Sequence, residues 1–254
     1  MKNKYVDFIS DEHLLSCIAN LYNSYQRAKQ NISKRNFYSN KVDVIKFAFD
    51  SKFNGISEEN LVQAEVLRQT DKTVNNSIGT FHEQVLGGIA GYEGGYLQGY
   101  DIRAVDNTLF ADIKNKHNTM NSSSAEALFQ KLAHYANTHK GAKCYWVQIL
   151  AKSSFCEQWF GEINGKEYGH SRVFKISGDR FYALLAKQDN ALFHLYQSLP
   201  IAIADFLSTV APDEGAAGNT ALNEILADTK LSGRSILDQI SFDNYSYYNG
   251  FNEL

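Results

Sequence analysis

The chain has 254 residues, of which 44% are apolar and 21% charged, with a formal net charge of −3; these are the proportions of a soluble globular protein with one sizeable core and room for an elaborated lobe. No apolar run approaches the roughly 20 residues needed to cross a bilayer, and the opening MKNKYVDFISDEHLL lacks a signal peptide's apolar centre and small-residue cleavage site. Cys17, Cys144 and Cys156 are odd in number and have neither CxxC nor His spacing, which points to the reducing cytoplasm and away from a zinc site.

Charge is distributed unevenly. Between Ser24 and Lys46 six basic residues face only Asp43, and between Tyr100 and Lys152 seven basic residues face four acidic ones. From Asp189 onward nine acidic residues face only Lys230 and Arg234. A polarised molecule of this kind can turn a positive face to DNA despite its negative total.

In chain order, Leu14, Leu15, Ile18, Leu21, Tyr22 and Tyr25 recur at spacings of three and four, which predicts a helix over residues 11–29 with Ser10 as its N-cap. Arg27 to Asn40 reads as a helix end followed by a loop. Val42–Phe49 and Ser57–Thr70 are expected to be further helices, the second opened by Ser57-Glu58-Glu59. Another helix is expected over Ile78–Ala90, with Phe81, Val85, Leu86 and Ile89 on one face and Glu83 just off it.

The stretch Gly99 to Asn121, GYDIRAVDNTLFADIKNKHNTMN, holds two strand-like runs, Tyr100–Val105 and Leu109–Lys116, around a polar turn at Asp106-Asn107-Thr108. Alternate residues of a strand share a face, so Asp112 and Lys114 point one way and Ala111 and Ile113 the other. A hairpin here would bring Asp101 beside Asp112. Two carboxylates and a lysine on one patch of sheet suit Mg²⁺, which takes one or two carboxylates and keeps waters for a phosphate substrate. The bland counterpart is a surface hairpin with a weak Asp–Lys ion pair.

Beyond Lys116, Ser123 and Glu126 fit an S-x-x-E capping box opening a helix to about Thr138 that buries Leu128, Phe129, Leu132 and Tyr135. KCYWVQIL (Lys143–Leu150) predicts a strand parallel to the preceding one. Gln148 on that strand faces either the core or the site. Phe155–Phe174 reads as irregular, with a hairpin turn at Asn164-Gly165 and base-reading candidates in His170, Arg172 and Lys175. Helices are expected over Asp179–Lys187 and Ala191–Leu199, with Pro200 opening a third, then a Gly/Ala-rich loop at Asp213–Gly218 and a helix with a packing tail.

The pattern of an aspartate, a spacer and Asp-x-Lys on adjacent strands resembles the active site of the PD-(D/E)xK nuclease superfamily. The extension KNKHNTMNSSS and the later GDRFYALL (Gly178–Leu185) followed by a helical run to Leu199-Pro200 are similar to type II restriction endonucleases, most of all those cutting GGNCC. The likeness runs from about Glu83 to Phe206. One departure is Tyr100, where the superfamily often has proline before its first aspartate.

The resemblance implies an α/β fold with a small mixed sheet flanked by helices and an N-terminal helical lobe. Its divisions would be 1–77, a nuclease core over 78–210, and an acidic C-terminal part over 211–254, the three together forming one compact unit. It implies a bacterial enzyme that hydrolyses double-stranded DNA with Mg²⁺, acts as a homodimer on a palindrome and shares its target with a cognate DNA methyltransferase. Asp101, Asp112, the Ile113 carbonyl and Glu83 would hold metal, with Glu93 a rival for the last. Lys114 would position the attacking water, a role it fills better than His117. Lys116, Asn118, Ser122, Ser123 and Arg172 are the DNA-contact candidates, the serines because a helix N-terminus binds anions. A repair nuclease of the same superfamily and a non-catalytic DNA-binding module are the alternatives.

Overall fold

The structure, a computed structural model, describes residues 3–30, 33–95, 99–117, 120–210, 220–248 and 251–254. Helix α1 (Asp11–Gln30) is followed by α2 (Lys34–Ser39), α3 (Val44–Asn54) and α4 (Glu58–Gly87). Strands β1 (Tyr92–Gly94), β2 (Ile102–Ala104) and β3 (Leu109–Lys116) lead to α5 (Ser122–Thr138) and β4 (Lys143–Leu150). Then come β5 (Cys156–Ile163), β6 (Lys166–Ser177), α6 (Gly178–Ala186), α7 (Ala191–Ser208), α8 (Thr220–Ser232) and α9 (Ile236–Tyr245). Among the described residues no helix is long and apolar enough to cross a membrane.

The chain divides into two compact units, one formed by residues 1–21 and 77–211, the other by 22–76 and 212–254. The first is the expected α/β body. Its six strands form one sheet in the order β1-β2-β3-β4-β6-β5, parallel along β3-β4-β6 and antiparallel elsewhere. Ala111 and Ile113 of β3 and Tyr145, Val147 and Ile149 of β4 pack with Leu14, Val85, Phe181 and Leu195, drawn from four helices. The opposite face carries Phe110, Cys144 and Val173 under Leu128, Phe129 and Leu132 of α5. Both faces of the parallel strands are therefore covered, as parallel pairing demands.

The second unit has its own core, in which Phe37, Val42, Phe47, Leu61 and Val62 meet Ile225 and Ile240. Here the basic early stretch meets the acidic late one. Lys34 pairs with Asp228 and, at 2.8 Å, with Asp243, and Lys41 Nζ donates to the Asn244 carbonyl at 2.9 Å. Lys46 pairs with its own helix neighbour Asp50. Three of the cations counted toward a positive face are thus engaged within this unit.

Several elements depart from the sequence reading. The polar run Thr70–Ser77 does not break the helix, because α4 continues through it, with Asn75 donating to Asp71 at 2.7 Å one turn away. Pro200 lies inside α7 rather than opening a new helix; it costs one backbone hydrogen bond on an exposed side where water can take the freed carbonyl. The segment expected to be irregular is the long β5-β6 hairpin, whose turn at Asn164 (φ 54°) and Gly165 (φ 75°) has the two left-handed residues such a turn requires. The loop expected at Asp213–Gly218 falls outside the described residues.

At the start of α6, Gly178 is buried and pressed on β4: a Cβ there would meet the Ile149 carbonyl oxygen at 2.6 Å and the Ile149 Cα at 2.8 Å. Backbone cannot yield as a flexible side chain does. Gly178→Ala is expected to cost about 1–3 kcal/mol, seen as a lower midpoint in thermal or urea unfolding.

Candidate active site

The β2-β3 hairpin sets the site's geometry. Asp106 Oδ1 accepts from the Thr108 backbone N–H at 3.0 Å, and Asn107 takes the left-handed conformation (φ 61°) that closes the turn. Ile102 then pairs with Ala111, and the Asp101 N–H donates to the Ala111 carbonyl at 2.9 Å. Asp101 comes to lie across from Asp112. The Asp101 carboxylate Oδ2 accepts the Ile113 N–H at 2.5 Å, which anchors it to the strand bearing Asp112 and Lys114.

Ala111 and Ile113 are held in the main core, so Asp112 and Lys114 must emerge on the α5 side. Asp112 is only 4% exposed. Lys114 Nζ stands 2.6 Å from its Oδ1 as an ion-pair contact, yet Oδ1 has no well-directed hydrogen bond. Lys131 of α5 pairs with Oδ2. Burial alone would lower the Lys114 pKa; the charges of Asp112, Asp101 and Glu83 outweigh it and hold the group above its usual value. Among these carboxylates Lys114 is held as an ammonium.

Glu83 arrives from α4, whose Phe81, Val85 and Leu86 are buried in the core. Gly87, one turn on, lets the helix end approach β1, since a Cβ there would meet the Gly94 nitrogen at 2.9 Å. Glu83 and Asp101 line two adjoining clefts of about 270 and 280 Å³, the first shared with Lys131, Thr80 and Gly95. Burial, and then the Asp101 charge, push the Glu83 carboxyl up to about 7. Asp101 is likewise raised, by burial first and then by Asp112.

The other candidates are placed as follows. Glu93, the rival to Glu83, pairs with Arg103 of β2. Gln148 is buried and pairs in register with Lys114, so it faces the site rather than the main core. Lys116 is exposed at the end of β3, and Ser122 and Ser123 are exposed in the first turn of α5. Asn118 lies outside the described residues. The cap of α5 is Asn121, whose side chain accepts the Ser124 N–H at 2.9 Å. Glu126, the expected capping-box partner, instead takes Tyr168 and, at 2.9 Å, Asn164 of the β5-β6 hairpin.

Arg172 is not brought to the carboxylates. It stands at the level where β4 begins, away from Lys114, and donates to the His139 and Ala142 carbonyls at 3.2 and 3.4 Å. His117 is tied through its N–H to the Leu150 carbonyl at 3.3 Å, His170 contacts Asn137, and Lys175 pairs with Glu157 at 2.7 Å. Lys131 was not among the residues singled out from the sequence. Its one signal there is position: it sits three residues after Leu128 and four before Tyr135, a charge on an apolar stripe.

Among the described residues no three His, Cys, Asp or Glu side chains form a metal cage. A closed zinc site would need one. Mg²⁺ does not, because it is held by one or two carboxylates together with water and phosphate. The Asp101–Asp112 pair, with a buried Oδ1 lacking a directed donor, fits that smaller demand.

Crowded carboxylates should weaken the metal-free fold. The raised Glu83 pKa means that stability falls as pH rises from about 4.5 to about 7 and then levels off. Glu83→Gln should therefore melt higher than the parent at pH 8 in EDTA, by about 1 kcal/mol after screening of this half-buried group. The difference should close near pH 4.5, which thermal melts at both pH values measure.

The model of the Eco47II restriction endonuclease family matches residues 6–208. The type II restriction enzyme Sau96I of Staphylococcus aureus is 38% identical over 255 aligned positions, covering 96% of this chain and 97% of that protein. The type II restriction enzyme Eco47II of Escherichia coli is 26% identical over 220 positions, covering 83% and 91%. These relatives are named as restriction enzymes, not as repair nucleases or DNA-binding modules. A match over residues 6–208, most of the chain, shows that the protein belongs to the Eco47II restriction endonuclease family.

Proposed function

We propose that this type II restriction endonuclease cleaves double-stranded DNA at GGNCC with Mg²⁺ held between Asp101 and Asp112. The observation that carries the reading is the buried Asp112, with Asp101 anchored across the hairpin and Lys114 on the same face. The Ile113 carbonyl and Glu83 are the further ligand candidates, Glu83 from across the cleft, since it, Asp101 and Asp112 are not grouped closely enough to hold an ion together as they stand. The bound ion supplies charge neutralisation at the scissile phosphate and makes a water more acidic.

The protein's own groups do the rest. The Lys114 ammonium donates to a non-bridging phosphate oxygen as negative charge grows on phosphorus, and its place beside Asp112 positions the attacking water. The water's oxygen bonds to phosphorus in line with the departing O3′ and gives up a proton to solvent; the P–O3′ bond breaks and O3′ takes a proton from solvent, leaving a 5′-phosphate and a 3′-hydroxyl. Lys116 and the first turn of α5, with Ser122 and Ser123, lie beyond this centre along the chain and are suited to flanking phosphates. A palindromic site calls for a two-fold homodimer in which each subunit cuts one strand. The enzyme works in the bacterial cytoplasm beside a methyltransferase that protects the same sequence.

Plasmid digestion with sequencing of the ends tests this directly. Discrete fragments sharing a GGNCC end are expected with Mg²⁺ and none with EDTA; a smear, or another shared sequence, would refute the assigned target. Asp112→Asn and Lys114→Ala should each slow cutting by roughly a hundredfold to a thousandfold or more, while a gel-shift assay in Ca²⁺ still shows specific binding. Undiminished cutting by either variant removes the mechanism.

A further inference from the structure

Asp112 carries two cations. Lys114, on its own strand, stands by Oδ1, and Lys131, from α5, pairs with Oδ2. Two ammonium groups on one buried carboxylate bring the same double positive charge as a divalent ion. Lys131 also lines the cleft shared with Glu83 and Asp101, and its side chain is 36% exposed at the end of a flexible stem. It is thus the cation that can leave Asp112 without moving a strand.

We propose that Lys131 is a positioning residue that stands in for the metal on Asp112 in the DNA-free protein and moves its ammonium to a DNA phosphate in the cleft when the metal binds. This rests on the reading of Asp112 as a metal ligand. A metal arriving alone must displace Lys131 from Oδ2. A phosphate in the cleft draws Lys131 away and vacates that oxygen. DNA and metal therefore strengthen each other's binding, by the same factor in both directions. Lys131 couples the two, and Lys114 keeps its place beside the reacting water.

Calorimetric titration of Ca²⁺ into the full-length, DNA-free protein measures the first half of the coupling. Lys131→Met should bind Ca²⁺ about fivefold more tightly than the parent, the scale of one half-exposed ion pair. In Ca²⁺ it should bind cognate DNA more weakly, with the salt dependence reduced by about one counterion. Lys131→Arg, which keeps the charge, should behave like the parent in both. Lys131→Gln is measured in the same way should the methionine variant lack a cooperative melt. Unchanged or weaker Ca²⁺ binding in a folded, uncharged variant overturns the coupling. Asp112→Asn separates the two failures: if it binds Ca²⁺ like the parent, the metal site itself is misassigned. If it loses Ca²⁺ while Lys131→Met is unchanged, only the role of Lys131 falls.

Discussion

A carboxylate that is 4% exposed within a sheet must be answered by positive charge, because its water has been removed and nothing apolar can replace it. In this protein Asp112 is that group, and the surrounding architecture serves its burial. Strand β3 brings Lys114 to one oxygen, helix α5 brings Lys131 to the other, and the hairpin brings Asp101 alongside. Removing one partner of such a group generally costs more than the pair contributes to stability, since a charge is left buried alone.

The same crowding sets the electrostatic state of the site. Glu83 and Asp101 are both raised by burial and by their neighbours, while Lys114 is held charged by all three carboxylates. Bringing carboxylates together in a protein is unfavourable without a cation, and perturbed carboxylates of this kind cluster at functional sites. The strain is local: the core beneath, built on Ala111, Ile113, Val147 and Val85, is continuous and apolar.

Close backbone approaches make the arrangement possible. Gly87 lets the end of α4 come down on β1, and Gly178 lets α6 start against β4. On the other face, α5 is tied to the β5-β6 hairpin through Glu126, and Arg172 fastens the turn between α5 and β4 by its carbonyls. These contacts hold α5, and hence Lys131, at a set height over the sheet. In this family member, residues suspected of touching DNA thus include one that fastens the scaffold.

What the sequence by itself determined is what depends on short range. Alternation along Leu109–Lys116 and the polar turn before it dictate which side Asp112 and Lys114 take and place Asp101 opposite, because strand period and turn chemistry are local. The strand at Lys143–Leu150 is legible for the same reason. Only the tertiary structure decided the contacts between distant segments. Lys131 meets Asp112 across 19 residues of chain, Glu126 leaves its expected cap for a hairpin 38 and 42 residues away, and Lys34 finds Asp228 and Asp243. A charged side chain on a helix has many possible partners, and its own neighbourhood in sequence does not say which one packing will bring within reach.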